Sequence, residues 1–314
     1  MKNFAIIGAS GYIAPRHMQA IKQTNNNLVA AYDTYDGIGI IDSFFPEAKF
    51  FIELGRFDRY VDKLRNDKIN KIDFISVCSP NYMHDSHIRF SLNSGCDSIC
   101  EKPLVLNPWN LERLMEIEQS SKQKIYSILQ LRLHPSIIEL KKFVSNELMT
   151  NNKKFEIDLT YITSRGNWYF TSWKGNEEKS GGICTNIGIH FFDMLNWVFG
   201  EFQESSLHYK SVDTMAGYLE FKNARVRWYL SVNKNNLPAS VLMKNKTTYR
   251  SISVNNREIE FSDGFTDLHT ESYINILNNQ GFGLNDALPS IEIVSKLRSM
   301  NVSSNLVDKH PFIK

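Results

Sequence analysis

The feature that most constrains this chain is an alternation of short apolar runs with helical segments through roughly its first 130 residues. The runs are FAIIG, LVAAYD, AKFFIE, IDFISVCS, DSICE and KIYSILQL, and segments with helical spacing separate most of them. A strand that is apolar on both faces must be covered on both faces, which is the situation of parallel strands flanked by helices. The alternation therefore predicts an α/β fold with a doubly wound parallel sheet.

The pattern changes after the polar break MTNNKK. Longer strands follow, joined by polar turns: FEIDLTYITSR, SSLHYKSV, MAGYLEFK, ARVRWYLSV, TYRSISVN and REIEFS. In ARVRWYLSV, Val226, Trp228, Leu230 and Val232 fall on one face, which indicates a half-exposed strand of an open, mostly antiparallel sheet. We expect a Rossmann domain over residues 1–132 and an α+β domain over 133–314. A last helix near 285–300 could return to the first domain.

Charge and cysteine content exclude several classes of protein. Lys and Arg (36) nearly balance Asp and Glu (34), so no global basic field exists to hold a nucleic acid or an anionic membrane. No apolar stretch reaches the roughly 20 residues of a membrane span, which predicts a cytoplasmic protein. The cysteines, Cys78, Cys96, Cys100 and Cys184, fit neither a disulfide framework nor a zinc pattern, so we expect buried thiols and no metal site.

The first strand runs directly into the turn Gly8-Ala9-Ser10-Gly11, and a helix follows from about Ile13. Gly8 permits a tight turn, Gly11 lets a phosphate approach the backbone, and small Ala14 allows close packing of helix and strand. An ordinary strand-to-helix turn would look similar. Asp33, which ends the second strand, adds a carboxylate that can accept the ribose hydroxyls of NAD and would repel a 2′-phosphate, although aspartate is also a common turn former. Together these features predict NAD binding.

Two polar clusters follow later strands of the first domain, Ser79-Pro80-Asn81-Tyr82-Met83-His84 and Glu101-Lys102-Pro103. Open α/β sheets bind ligands at the carboxyl ends of their strands. The first cluster could simply form a turn and a helix cap, and Lys102 could be a solvated lysine. However, Lys102 lies between an apolar strand and a rigid proline, which favours an ammonium held over a cleft.

A glycine turn in the second domain leads into the helix that carries His190. Asn186 precedes His190 by one helical turn, and Asp193 follows it. A lone histidine on an apolar helix is commonly a satisfied core residue. With an unperturbed pKa of about 6.5, His190 could also take a hydroxyl proton near neutral pH, whereas Lys102 would act as a cationic donor.

These motifs, in this order, resemble the Gfo/Idh/MocA oxidoreductase family, in which GASGYIA, SPNYMH, EKP and NIGIHFFD all have counterparts. Within it, GYIAPRH, QLRLHP, LTYITSRGNWYFTSWKG, YRSISVN and GFTDLHTESY are similar to dehydrogenases that act on C3 of UDP-N-acetylglucosaminuronic acid in bacterial surface-polysaccharide (lipopolysaccharide O-antigen) synthesis. The resemblance implies NAD as cofactor, this UDP-sugar as substrate, and a homotetramer. Several relatives regenerate NAD with 2-oxoglutarate, and the residues leave open whether this chain does so.

The resemblance also assigns site residues. It implies that Lys102 and His190 flank the C3 hydroxyl, with His190 as base and Lys102 polarising O3, although the two roles could be exchanged. The cofactor set that it implies is Gly8, Gly11, Tyr12, Ile13, Ala14, Asp33, Ser79, Pro80, Asn81, His84, Glu101, Lys102 and Gln130. The implied substrate set is Lys102, Arg132, Arg165, Asn167, Trp173, Lys174, Asn186 and His190.

Two features bear on the substrate. The segment SRGNWYFTSWKG supplies cations and aromatic rings that could bind an anionic nucleotide sugar or, alternatively, form an oligomer contact. Many family members have aspartate where this chain has Asn186, and we infer that asparagine avoids repelling a diphosphate and a uronate. A dehydrogenase of a free sugar or inositol, and a non-catalytic NAD-binding regulatory or scaffold protein, remain the alternatives.

Overall fold

The computed structural model describes residues 1–150, 153–259 and 267–313. The chain divides into two compact units, one formed by Met1–Gln130 with Thr266–Leu288 and the other by Leu131–Phe265 with Pro289–Lys314. Each unit is described by itself below.

Within residues 1–150, 153–259 and 267–313, the strands and helices follow the order that the sequence pattern predicts, and four further helices are present. The strands are β1 (Asn3–Ile7), β2 (Asn27–Tyr32), β3 (Lys49–Phe51), β4 (Phe74–Val77), β5 (Asp97–Cys100), β6 (Ile125–Ser127), β7 (Phe155–Thr163), β8 (Phe202–Lys210), β9 (Thr214–Phe221), β10 (Ala224–Ser231), β11 (Thr248–Val254) and β12 (Arg257–Ile259). The helices are α1 (Ala14–Gln23), α2 (Leu54–Leu64), α3 (His84–Asn93), α4 (Pro108–Ser120), α5 (Pro135–Thr150), α6 (Asn167–Thr171), α7 (Glu177–Ser180), α8 (Ile189–Phe199), α9 (Ala239–Leu242), α10 (Leu268–Leu277) and α11 (Leu284–Ser299).

The first unit contains a six-stranded sheet in the order β3-β2-β1-β4-β5-β6, and every neighbouring pair is parallel. This is the doubly wound sheet that the apolar runs predict. The strand order reverses between β1 and β4, so ligand-binding loops are expected at the carboxyl ends of these two strands.

Helix α10 comes from the far end of the chain and packs into the core of the first unit. Its Tyr273 and Ile276 join a cluster with Phe4 and Met18, and the Phe4 and Tyr273 rings stack at 5.7 Å. The sequence pattern does not predict α10, because its buried face mixes polar His269 and Ser272 with apolar residues and so lacks a clean apolar stripe.

The second unit contains a sheet in the order β12-β11-β7-β10-β9-β8. All its neighbours pair antiparallel except β7 and β10, which run parallel, so the mostly antiparallel sheet is confirmed. The predicted strand REIEFS is present as β12, and its residues 260–262 lie outside the part of the chain that the structure describes.

The alternation predicted for β10 holds for only half of the strand. Val226, Trp228 and Leu230 are fully buried on one face, as expected. On the other face Arg225 is exposed, but Tyr229 is buried because the rings of the C-terminal segment pack on it. The expectation of a solvated face is therefore wrong at the end of the strand, where a distant segment supplies the cover.

The cysteines are buried thiols, as predicted. Burial raises the pKa of Cys96 to about 12 and that of Cys184 to about 11, so both stay protonated and unreactive at neutral pH. Within residues 1–150, 153–259 and 267–313, no helix combines the length and the apolar character that crossing a bilayer requires.

Candidate active site

The glycine turn after β1 is shaped by close contact with the loop after β4. Gly8 has φ +86°, and a Cβ placed there would lie 2.6 Å from the backbone of Cys78 and Ser79. A Cβ on Gly11 would lie 3.1 Å from the carbonyl oxygen of Gly8. The fold of the turn itself therefore requires Gly8, whereas a side chain at Gly11 would need its neighbours to shift by a few tenths of an ångström.

The turn presents unsatisfied donors at the start of α1. The N–H groups of Tyr12 and Ile13 have no acceptor among the residues that the structure describes, and Pro15 follows in the first turn of the helix. Asp33 lies beside the turn, because its carboxylate accepts the Ser10 N–H at 2.9 Å and the Tyr35 N–H at 3.0 Å. A carboxylate has further lone pairs, so ribose hydroxyls can still bind it. Donors for a pyrophosphate and an acceptor for a ribose thus lie together, which fits NAD.

The loop after β4 is held by two buried histidines of α3. His87 Nδ1 lies 2.8 Å from Ser79 Oγ, and burial lowers the pKa of His87 to about 4, so its ring is neutral at neutral pH. His84 bridges two loops, with Nε2 at 2.8 Å from the Ser79 carbonyl and Nδ1 at 2.7 Å from the Pro103 carbonyl. Burial lowers the pKa of His84 despite these carbonyls, so a neutral ring donates to only one of them.

The loop after β5 carries Glu101 and Lys102. Lys102 is half-buried, and the peptide bond that joins it to Pro103 is cis. The Glu101 carboxylate is buried and accepts from His17, His269 and the Lys102 backbone N–H. Burial raises the pKa of Glu101, but the hydrogen bonds and charge interactions of His17 and His269 outweigh this effect and hold the pKa well below its usual range.

At the end of the first unit, Gln130 presents a buried side-chain oxygen without a hydrogen-bond partner among the described residues. A buried acceptor that makes no hydrogen bond costs about 1–3 kcal/mol. A ligand that donates an N–H group to this oxygen would remove that cost. A carboxamide group is a donor of this kind.

In the second unit, a π-helical turn over Cys184–Gly188 leads directly into α8. Asn186 and His190 are both partly exposed, while the three residues between them are buried, so the two side chains share the accessible face. Asn186 donates to the Tyr169 hydroxyl at 2.9 Å. The turn packs closely at Gly188, where a Cβ would lie 2.6 Å from a methyl group of Leu230 and would force that side chain to move.

Asp193 does not share that face. Its carboxylate is buried and binds the Arg132 guanidinium in two contacts, of 2.7 and 3.0 Å. Arg132, which the resemblance places in the substrate set, is thus a buried partner of the helix that carries His190.

The segment 165–174 folds as the short helix α6 followed by a tight turn over Trp173–Gly175. Arg165, Asn167 and Trp168 are exposed, and the Lys174 ammonium lies 5.5 Å and 5.4 Å from the centres of the Trp168 and Trp173 rings. Burial and the nearby Arg165 lower the pKa of Lys174. The segment therefore combines two cations with two aromatic rings on one surface.

Within the first unit the structure brings together the glycine turn, Asp33 and the loops after β4 and β5, and within the second unit it brings together Asn186, His190 and Tyr169. The sequence pattern did not identify His17 and Tyr273 as contributors. His17 and Tyr273 lie in GYIAPRH and GFTDLHTESY, so the resemblance of those stretches was the available signal.

Comparison with known proteins adds the family. A model of the oxidoreductase family, NAD-binding Rossmann fold, matches residues 2–129, and a model of the oxidoreductase family, C-terminal alpha/beta domain, matches residues 141–242. The WlbA (WbpB) dehydrogenase from Thermus thermophilus, solved in complex with NAD and alpha-ketoglutarate, is 45% identical, with a TM-score of 0.94 and coverage of 100% of both chains. Its complex with NAD and UDP-GlcNAcA gives 44% identity, with the same coverage and TM-score.

Curated relatives are more distant. The oxidoreductase YteT of Bacillus subtilis (strain 168) is 24% identical over 220 residues, which is 68% of this chain and 50% of YteT. The chain thus spans about half the length of that relative. The D-glucoside 3-dehydrogenase of Escherichia coli (strain K12) is 25% identical over 253 residues, 71% of this chain and 68% of that enzyme. With both family models matching in order and a full-length relative at 45% identity, the chain belongs to the Gfo/Idh/MocA oxidoreductase family.

Proposed function

We propose that this chain is an NAD-dependent dehydrogenase that oxidises the C3 hydroxyl of UDP-N-acetylglucosaminuronic acid to the 3-keto sugar. The observation that carries the proposal is the similarity along the full chain to Thermus thermophilus WlbA, whose solved complexes contain NAD with UDP-GlcNAcA or with alpha-ketoglutarate. A relative that shares 45% of its residues supports the substrate as well as the fold.

The first unit supplies what NAD requires. The N–H groups of Tyr12 and Ile13 and the positive end of α1 favour a pyrophosphate, and the Asp33 carboxylate favours a 2′-hydroxyl over a 2′-phosphate. When bound, NAD supplies the hydride acceptor. We assign cofactor contacts to Gly8, Gly11, Tyr12, Ile13, Ala14, Asp33, Ser79, Pro80, Asn81, His84, Glu101, Lys102 and Gln130.

Oxidation of an alcohol requires removal of the O3 proton as the C3–H bond breaks. We propose that His190 accepts this proton, because an imidazole is a suitable base near neutral pH. Lys102 donates a hydrogen bond to O3 and stabilises the negative charge that develops there. Both side chains are partly exposed and can meet a ligand.

The anionic groups of the substrate require cations and a surface for the uracil ring. Lys174 and Arg165, with the Trp168 and Trp173 rings, offer charge and stacking area on one segment. We assign substrate binding to Lys102, Arg132, Arg165, Asn167, Trp173, Lys174, Asn186 and His190, with Arg132 acting from its pair with Asp193.

We also propose the roles of the two domains, the oligomeric state and the cellular location. We assign NAD binding to residues 1–132, and substrate binding and oligomerisation to 133–314, in a cytoplasmic homotetramer that serves surface-polysaccharide synthesis. The WlbA complex with alpha-ketoglutarate supports 2-oxoglutarate as the oxidant that regenerates NAD.

The test is a single-turnover assay of stoichiometric protein, NAD and UDP-GlcNAcA, read as the near-ultraviolet absorbance of reduced nicotinamide. The wild type should give a rise that 2-oxoglutarate reverses. Lys102→Met and His190→Asn should lose the rise, while Lys122→Met, a change at an exposed lysine of the first unit, should keep it. Turnover of a free sugar or inositol in place of the nucleotide sugar would refute the substrate.

A further inference from the structure

A buried hydrogen-bonded cluster lies behind the loop that carries Lys102. Two histidines contact the same carboxylate oxygen, Oε1 of Glu101: His17 Nε2 at 3.0 Å and His269 Nε2 at 2.8 Å. The other ring nitrogen of His17 lies 2.8 Å from the Tyr273 hydroxyl, which lies 2.6 Å from Ser76 Oγ. The cluster thus joins α1, β4, the loop after β5 and α10 inside the first unit.

The chemistry of these groups assigns the protons of His17. An ionised carboxylate only accepts, so the Nε2 atoms of both histidines must be the donors. Burial lowers the pKa of His17, so its ring is neutral and Nδ1 is an acceptor. The Tyr273 hydroxyl therefore donates to His17, and Ser76 donates to Tyr273. This directed chain of donors ends on Glu101 and leaves the ring of His17 only one suitable tautomer.

The same three residues could suggest a metal site, since the ligand atoms of His17, Glu101 and His269 lie within 4.8 Å of one another. Tetrahedral zinc with ligands at 2.0–2.2 Å separates its ligand atoms by about 3.3 Å. The observed contacts of 2.8 and 3.0 Å are shorter than that and are ordinary hydrogen bonds. The cluster is complete without an ion.

The second oxygen of Glu101 faces the opposite way. Oε2 accepts the backbone N–H of Lys102 at 3.2 Å. Two imidazoles thus fix one oxygen of the buried Glu101 carboxylate, and the other oxygen holds the backbone N–H of Lys102. The other titratable groups packed around this carboxylate are His84, Cys78, Cys100 and Tyr273.

We propose that Glu101 is a positioning residue, held by His17, His269 and Tyr273, which orients the Lys102 backbone and so places the Lys102 side chain. The assignment of catalysis to Lys102 rests on the function proposed above, whereas the effect on the orientation of Lys102 does not. Because His269 and Tyr273 lie on α10, the C-terminal part of the chain contributes to holding a catalytic loop of the first unit.

The first test compares Glu101→Gln with Glu118→Gln. Glu118 is a matched control, since its carboxylate also accepts a backbone N–H in the same unit, that of Ile125 at 2.8 Å. In Glu101→Gln the amide oxygen can face only one side, so its NH₂ group confronts either the imidazoles or the Lys102 N–H. We expect kcat for UDP-GlcNAcA oxidation to fall at least about tenfold with KM nearly unchanged, as for a misplaced catalytic group. A fall shared by Glu118→Gln, or a rise in KM alone, would overturn the proposal.

The second test needs no turnover. Competitive acetylation of lysines, followed by mass spectrometry, measures how reactive Lys102 is in the folded protein at pH 8. The labelling rate depends on how the Lys102 side chain is placed, so it should change several-fold in Glu101→Gln and not in Glu118→Gln, with Lys122 as the internal reference. Unchanged labelling of Lys102 would refute the positioning role. If the wild type reduced no NAD, the proposed function would fail while this measurement still decided the inference.

Three further variants test the proposal if Glu101→Gln does not fold. His269→Gln keeps an N–H donor near the position of Nε2, and His269→Leu removes it, so activity should be recovered in the former relative to the latter. Tyr273→Phe removes only the hydroxyl that fixes the tautomer of His17, and it should lower kcat without altering NADH affinity. Equal activity in both His269 variants, or a stoichiometric metal ion in the purified protein, would contradict the proposal.

Discussion

The buried pair of Arg132 and Asp193 provides a prediction of measurable size. The two side chains are 5% and 3% exposed, and the guanidinium binds both carboxylate oxygens. Asp193→Asn preserves the shape of the side chain but leaves the guanidinium buried without its counter-charge. Breaking a buried pair in this way costs about 3–5 kcal/mol.

That loss should be visible in thermal unfolding. For a unit of this size, 1 kcal/mol shifts Tm by about 2–4 °C, so Asp193→Asn should lower the Tm of the second unit by about 6–20 °C. Replacing both partners with apolar residues, in Arg132→Met with Asp193→Leu, should recover most of the lost stability, because no charge remains buried. Differential scanning calorimetry of the single and double variants measures both effects.

A Tm for Asp193→Asn within about 1 °C of the wild type would refute the reasoning. The folded double variant also separates the two roles of Arg132. If Arg132 contributes to binding as well as to stability, the double variant should regain Tm but not affinity for UDP-GlcNAcA.

Three further predictions concern the glycine turn, a buried histidine and the substrate. Gly8→Ala should weaken NADH binding at least about tenfold in a fluorescence titration, because its Cβ would meet Cys78 in a left-handed backbone, whereas Gly39→Ala, in open space, should bind normally. The pKa of His87 in the folded protein, about 4, lies below its unfolded value of 6.5, so stability should fall by about 3 kcal/mol as pH drops from 7 to 4; urea unfolding of His87→Gln should show a smaller loss. Asn186→Asp should raise KM for UDP-GlcNAcA by charge repulsion, and an unchanged KM would count against that assignment.

Local patterns in the sequence were sufficient for the architecture. The six apolar runs predicted the parallel strands, since burial on both faces leaves a signal within each strand. The glycine turn with Asp33 predicted the cofactor for a similar reason, because its parts lie at the ends of two neighbouring strands. Most of what could be predicted of the site therefore came from the residue types at the carboxyl ends of the strands.

What could not be predicted depends on contacts between distant segments. Glu101 meets His17 and His269 across 84 and 168 positions, and no periodicity links such residues. Tyr229 is buried by a C-terminal segment that the strand pattern cannot anticipate. The Arg132–Asp193 pair was missed for the same reason, since the spacing of Asp193 from His190 suggested a shared face on α8.

The central claim is oxidation at C3 of the nucleotide sugar. The most direct test incubates the protein and NAD with UDP-N-acetylglucosaminuronic acid deuterated at C3, and follows the label by mass spectrometry. We expect deuterium to move to the reduced nicotinamide and the sugar to become the 3-keto product. Deuterium retained in the sugar while NAD is reduced, or no reduction by folded protein that binds both ligands, would contradict it.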